Sequence, residues 1–253
     1  MTPIVIFTDL DGTLLDPHTY AWEPAREALE LIRTRGIPLI LASSKTRAEI
    51  EPLRFTLQHR DPFIVENGGA ACLPKGYFPF PLDDATVRGP YQVIEIGLPY
   101  ARLRSMLKEC AQTVGAGVRG FGDMSIEEVA ECTGLTAAEA ALAKQREYDE
   151  PFVIERGDPA AFQACAAARG LACIHGGRFY HLLGPNDKGR AARALIACYT
   201  RLMGTMPATI AIGDSDNDLP LLSVVDHPIR LVPPHIGPAA WNAAIVDQLG
   251  SLR

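Results

Sequence analysis

The apolar positions of this chain fall into two kinds of run. Short continuous runs rich in Ile, Val and Leu occur at residues 3–8, 37–42, 63–65, 93–96, 208–212 and 229–232. Such runs predict strands buried on both faces, as in parallel sheets. Between them, apolar residues recur at helical spacing: Ala25, Ala28, Leu29 and Ile32 within 23–35, and Leu103, Leu107 and Cys110 within 99–114. Pro24 near the start and Gly36 just past the end bound the first of these segments. Residues 46–57 read as a helix that Pro52 shortens or kinks. Helices are also expected at 187–203, 218–225 and 238–249, with Asn186 capping the longest. Strand alternating with helix implies right-handed βαβ units and an α/β fold, a Rossmann-like, doubly wound parallel sheet.

Part of the chain departs from this alternation. Pro74, Gly76, Pro79, Pro81, Gly89 and Pro90 give residues 75–90 the look of a linker. Beyond them, strands are expected at 152–154, 171–174 and 178–183, with a helix at 159–169 closed by Gly170. Ser125 with Glu128, and Thr136 with Glu139, are capping-box signatures of two further short helices. The chain therefore divides into a discontinuous core, 1–84 and 186–253, and an inserted α+β unit, 85–185. The 253 residues hold this as one large domain with an insertion.

Composition narrows the function classes. With 47% apolar and 21% charged residues the chain is globular. An excess of Asp+Glu (30) over Lys+Arg (24) argues against a general nucleic-acid binder. It permits an anionic ligand, because a metal or a few local cations reverse the sign of one cleft. No run approaches the ~20 apolar residues of a membrane span, and no signal peptide is expected. The six cysteines lack zinc-knuckle spacing and read as free thiols of a cytoplasmic protein.

Two strand ends carry the candidate chemistry. One runs into Asp9-Leu10-Asp11-Gly12-Thr13, the other into Gly213-Asp214-Ser215-Asp216-Asn217-Asp218. Sites in doubly wound folds lie beyond the carboxyl ends of strands, so these carboxylates are expected to converge. Such a cluster repels itself unless a cation sits in it, and all-oxygen donors suit Mg2+. Asp9, Asp11, Asp214 and Asp218 are the candidate metal residues. Asp216 reads more readily as a capping or supporting carboxylate, and Asp218 stands open between the two roles. Asp9 and Asp11, two residues apart, suit a nucleophile and a general acid/base acting on phosphorus. Ser43, Ser44 and Lys45 precede a helix N-terminus and supply phosphate donors, as Lys188 and Asn217 do. Each has a plainer alternative in isolation: Ser43 as a helix cap, Lys188 as a solvated helix residue.

In order and spacing, these four clusters resemble the motifs of the haloacid dehalogenase superfamily of phosphatases. The insert resembles the larger α/β cap of its Cof-type sugar phosphatase branch. The resemblance implies that Asp9 forms an aspartyl-phosphate and that Asp11 is the general acid/base. It further implies that Asp9, the Asp11 carbonyl and Asp214 hold magnesium, and that Ser43 and Lys188 bind the phosphoryl group. The stretches 43–46, 66–70, 120–125, 146–152 and 176–181 are similar to those of mannosyl-3-phosphoglycerate phosphatases. That group implies a phosphorylated sugar-glycerate substrate, a compatible solute as product, and cap cations among Arg119, Arg146, Arg178 and His181 as ligands. Glucosyl-3-phosphoglycerate, another phosphosugar, phosphomutase chemistry and a non-catalytic phosphosugar sensor are the alternatives. The sequence leaves oligomeric state open.

Overall fold

Residues Ile4–Thr8 send alternate side chains into two buried layers: Ile6 enters one, Val5 and Phe7 the other. This is the period-two geometry of a strand covered on both faces. The computed structural model describes residues 2–176 and 178–252. Gly177, within the 176–181 stretch, lies outside the described residues.

The strands are β1 (Ile4–Thr8), β2 (Leu39–Ala42), β3 (Phe63–Val65), β4 (Ala70–Pro74), β5 (Ala85–Arg88), β6 (Tyr91–Glu95), β7 (Gly117–Gly120), β8 (Asp149–Arg156), β9 (Ala172–Gly176), β10 (Phe179–Leu183), β11 (Ala208–Gly213) and β12 (His227–Arg230). The α-helices are α1 (Arg26–Thr34), α2 (Arg47–Thr56), α3 (Tyr100–Val114), α4 (Ile126–Thr133), α5 (Ala137–Ala143), α6 (Pro159–Ala167), α7 (Lys188–Met203), α8 (Leu219–Leu222) and α9 (Pro238–Ser251). Among the described residues no helix is long and apolar enough to cross a membrane.

One sheet has the order β12-β11-β1-β2-β3-β4-β6-β5. It is parallel from β12 to β3 and antiparallel beyond. Ala28 and Ile32 of α1, Ile50 of α2 and Trp241, Ile245 and Leu249 of α9 cover one face. Ala191, Leu195 and Tyr199 of α7 and Leu221 and Leu222 of α8 cover the other. A second, antiparallel sheet, β7-β8-β10-β9, belongs to the insert. Its outer face packs on Leu103 and Leu107 of α3 and Phe162 of α6. Phe179, on the other face, packs with Phe121 and with Val129 and Ala140 of α4 and α5.

Three expectations are corrected. The segment read as a linker contributes β5, and its aromatics Tyr77, Phe78 and Phe80 pack against the α7 face. Because β5 and β6 pair into the first sheet, the boundary at 84/85 falls inside the core; the chain leaves that sheet only after Glu95. Asp187, not Asn186, caps α7: its side chain accepts from Arg190 N at 2.8 Å. Asn186 instead donates to the Asn67 carbonyl. Both capping boxes in the insert are formed.

Candidate active site

The carboxyl ends of β1, β2, β3 and β11 open on one cavity of about 740 Å3. β1 and β11 pair in register from Ile4–Ala208 to Thr8–Ile212, so Asp9 and Asp214 emerge side by side. Buried groups hold the first turn in place. Trp241 Nε1 donates to Thr8 Oγ1 (2.9 Å), and that hydroxyl donates to the Asp9 carbonyl (2.7 Å). Gly12 has φ +77°, and a Cβ there would lie 2.6 Å from Asp214 Oδ2. The turn therefore needs glycine for both its conformation and its approach to the second carboxylate. Thr13 Oγ1 donates to Asp214 Oδ1 at 3.0 Å.

Asp9, Asp214 and Asp218 each bring a carboxylate oxygen within 4.8 Å of the others. Fully buried Lys188 sits among them, its Nζ 2.6 Å from both Asp9 Oδ1 and Asp218 Oδ1. The long separation of Lys188 from Asp9 in sequence is closed because α7 lies directly on the sheet. Asp218 Oδ2 accepts from the Asp214 and Ser215 amides at 3.2 and 3.1 Å. Both Asp218 oxygens are thus occupied, which gives it the role of organising Lys188 and the β11 turn. Burial pushes the Asp9 carboxyl up to about 7, with Asp218 and Asp11 adding to that and Lys188 opposing it. Burial and Asp218 also raise Asp214. Burial pulls Lys188 down, but the two carboxylates more than reverse this and hold it above the usual lysine value. One ammonium among three clustered carboxylates leaves an excess of negative charge, and oxygen donors of this kind fit a hard divalent cation.

Asp11 Oδ2 lies 3.1 Å from Lys45 Nζ, while its Oδ1 is buried without a protein partner. Lys45 is raised: burial lowers it, and Asp11 and Glu49 outweigh that. Ser44 lines the cavity. Ser43 is buried behind it, its Oγ accepting from Lys45 N at 3.1 Å. Asn217 lines the cavity and donates to Asn67 Oδ1 at 3.1 Å. Asp216 is 85% exposed and pairs with Arg230 at 2.7 Å, away from the carboxylate cluster.

The cap residues divide sharply. Arg146 is buried, and its Nε and Nη1 donate to the carbonyls of Ala143 (2.9 Å) and Ser44 (2.8 Å). Arg178 is exposed, donates to the Cys132 carbonyl (3.0 Å) and lines neither this cavity nor its neighbour. Arg119 is half-buried and paired with Glu128. His181 faces the cavity and bonds through Nδ1 to Asp149 at 2.9 Å.

Two residues without an assigned role in the sequence stand at the core–cap junction. Glu66, fully buried, accepts from the amides of Glu147 (2.9 Å) and Tyr148 (2.8 Å). Burial pushes its carboxyl up to about 7, with Arg146 opposing. Asp149, also fully buried, accepts from Asn67 Nδ2 at 3.1 Å. Glu66, Asn67 and Gly68 all have positive φ (48°, 54° and 82°). The Asn-Gly-Gly turn immediately after a core strand was the available signal, since strand-end turns are where such sites collect.

Comparison with known proteins agrees with this geometry. Residues 6–77 match the model of the haloacid dehalogenase-like hydrolases. A protein of Methanococcoides burtonii named glucosyl-3-phosphoglycerate/mannosyl-3-phosphoglycerate phosphatase is 44% identical, the match covering 97% of each chain. A mannosyl-3-phosphoglycerate phosphatase of Pyrococcus furiosus is 38% identical over 88% of each chain. Among solved structures, a haloalkanoate-superfamily phosphatase of Bacteroides thetaiotaomicron superposes with a TM-score of 0.64 at 17% identity, over 99% of this chain and 95% of that one, a likeness of fold. With strand-end carboxylates, an inserted cap and relatives of this closeness along almost its full length, the chain belongs to the haloacid dehalogenase-like hydrolases and is a phosphatase of that family.

Proposed function

We propose that the protein hydrolyses the phosphomonoester of a glycosyl-3-phosphoglycerate, mannosyl or glucosyl, releasing the glycosylglycerate as a compatible solute in the cytoplasm. The relatives' names support the substrate class, and the M. burtonii protein carries both sugars in its name. The observation that carries the chemistry is the placing of Asp9 and Asp11 in one cavity with Asp214, while Lys188 contacts Asp9 from behind. In this reading Asp9 attacks phosphorus. Its carboxylate oxygen forms the new P–O bond as the P–O bond to the glycerate breaks, and Asp11 gives its proton to the departing oxygen. Asp11 then takes a proton from water, which attacks the aspartyl-phosphate and breaks the Asp9–phosphorus bond. Lys188 keeps Asp9 ionised and aimed, and the Ser43–Lys45 turn supplies donors to the phosphoryl oxygens.

Asp9, Asp214 and the Asp11 carbonyl would hold Mg2+, with Asp218 steadying the site. When bound, the ion offsets the repulsion between Asp9 and the phosphoryl oxygens. The cap, entered after β6 rather than at residue 85, selects the leaving group and shields the cavity from water. The test is phosphate release over a panel of phosphosugars, with and without Mg2+. Release from the glycosyl-3-phosphoglycerates, absent in Asp9→Asn, supports the reading. Comparable turnover in Asp9→Asn overturns it.

A further inference from the structure

A second cavity, about 390 Å3, adjoins the catalytic one on the cap side. Asp11, Ser44 and His181 line both, so they mark the passage between them. The passage is where a leaving group must run: its oxygen departs at Asp11, and the rest of it lies beyond. In the strand register His181 stands opposite Pro151 on β8 and Ile174 on β9. All three line these cavities, so this face of the cap sheet looks onto the core. Phe121 and Phe179 add apolar wall to the second cavity, and Tyr20 does so from the core side.

Around this passage the lysines and arginines are engaged, and the His175 ring packs on Tyr180. Lys188 is held by Asp9 and Asp218, and Lys45 by Asp11. Arg146 spends its Nε and Nη1 on the carbonyls of Ala143 and Ser44 and is a strut between cap and core. Arg230 pairs with Asp216 at the mouth. His181 differs. Its Nδ1 meets Asp149 at 2.9 Å, and Asp149 is itself fixed by Asn67. A ring nitrogen facing a carboxylate carries the proton. Nε2, on the far side of the ring, has no protein partner among the described residues, while the side chain remains 14% exposed in the passage.

We propose that His181, oriented by Asp149, is the group that reads the carboxylate of the leaving glycerate and so sets the preference for acidic substrates. The inference rests on the glycosyl-3-phosphoglycerate reading. In that substrate the carboxylate is two carbons from the phosphorylated carbon, which puts it in the passage when the phosphoryl group is at Asp9. The glycosyl group on the middle carbon then lies against Tyr20, Phe121 and Phe179. In the bound state Nδ1 stays on Asp149 and Nε2 is turned to the substrate carboxylate.

The experiment compares mannosyl-3-phosphoglycerate with mannosylglycerol 3-phosphate, which has CH2OH in place of the carboxylate, and with p-nitrophenyl phosphate. In the wild type kcat/KM is expected to favour the acid. In His181→Ala it is expected to fall about 10- to 100-fold on the acid, mainly through KM, and to stay within about twofold on the other two. His181→Gln, which keeps a neutral donor, should recover part of the loss, and Asp149→Asn should move the preference the same way. Equal losses on all three substrates, or no preference in the wild type, overturn the inference and leave the phosphatase reading standing. A wild type that cleaves p-nitrophenyl phosphate but not the acid overturns the substrate reading, and this inference with it.

Discussion

Lys188 shows how one residue holds this site together. Its Nζ touches two carboxylates at 2.6 Å with no solvent exposure, so removing its charge leaves Asp9 and Asp218 buried and mutually repelling. Breaking a buried pair from one side costs about 3–5 kcal/mol. Lys188→Met, similar in volume, should therefore lower the thermal midpoint measurably as well as abolish phosphate release. Mg2+ should recover part of that stability, because it supplies the missing charge. The same logic predicts that Mg2+ raises the melting temperature of the wild type and has little effect on Asp214→Asn, since a ligand stabilises only the state that binds it. A melting series in Mg2+ checks both, and equal shifts in wild type and Asp214→Asn would count against the assigned metal site. The Asp9 and Asp11 pair was readable in sequence because Gly12-Thr13 follows it and a second strand end carries the Asp214–Asp218 cluster. The support beneath them was not. Thr8 and Trp241 meet only through the packing of α9 on the sheet.

At the level of elements, legibility followed apolar content. β1 and β11 stand out because their runs are continuous and end in Asp. β4 (Ala70–Pro74) and β7 (Gly117–Gly120) carry small residues and glycine, and pairing with their neighbours decides their conformation. The N-cap of α7 moved by one residue because Asp187 and Asn186 both suit a cap, and Asn186 is drawn to Asn67. The turn after β3 was the least readable, although it ties two units. Glu66 from that turn receives two amides from the start of the cap's β8 approach. Its folded-state carboxyl, pushed up from 4.5 to about 7, binds a proton that the unfolded chain releases earlier. Its contribution is therefore complete below about 4.5 and is lost as pH rises through about 7. Glu66→Gln should flatten the fall in stability across that window relative to wild type. Denaturant unfolding at several pH values measures the slope, and parallel curves for the two proteins would contradict the assignment.

Across the whole molecule, cap and core meet mostly through polar links, with Tyr148 the one buried cap aromatic in the clusters of the large sheet among the described residues. Thr46 Oγ1 donates to the Leu142 carbonyl at 3.0 Å, Arg47 pairs with Glu147 at 2.7 Å, and Arg146 reaches the Ser44 carbonyl at 2.8 Å. The two chain crossings pack closely: a Cβ on Gly97 would lie 3.1 Å from the Gly69 backbone and 3.0 Å from Asn186 Oδ1. Tyr148 reaches from the cap into one cluster of the large sheet; otherwise the apolar clusters belong to each unit separately, one pair around the large sheet and one pair around the cap sheet. Each unit can thus keep its own fold while the contacts between them change. Arg146 is the informative test, because its two anchored nitrogens join the last turn of α5 to the phosphate-side turn at Ser44. Arg146→Met keeps most of the packing volume and removes those donors. If Arg146 is a strut, the Ser44 turn loosens for every substrate alike. Turnover should then fall by a similar factor, about tenfold, on glycosyl-3-phosphoglycerate and on p-nitrophenyl phosphate. Hydrogen exchange should quicken at residues 143–149 while the β1 and β11 amides stay protected. A loss confined to the acidic substrate would instead make Arg146 a ligand of the carboxylate and take that role from His181.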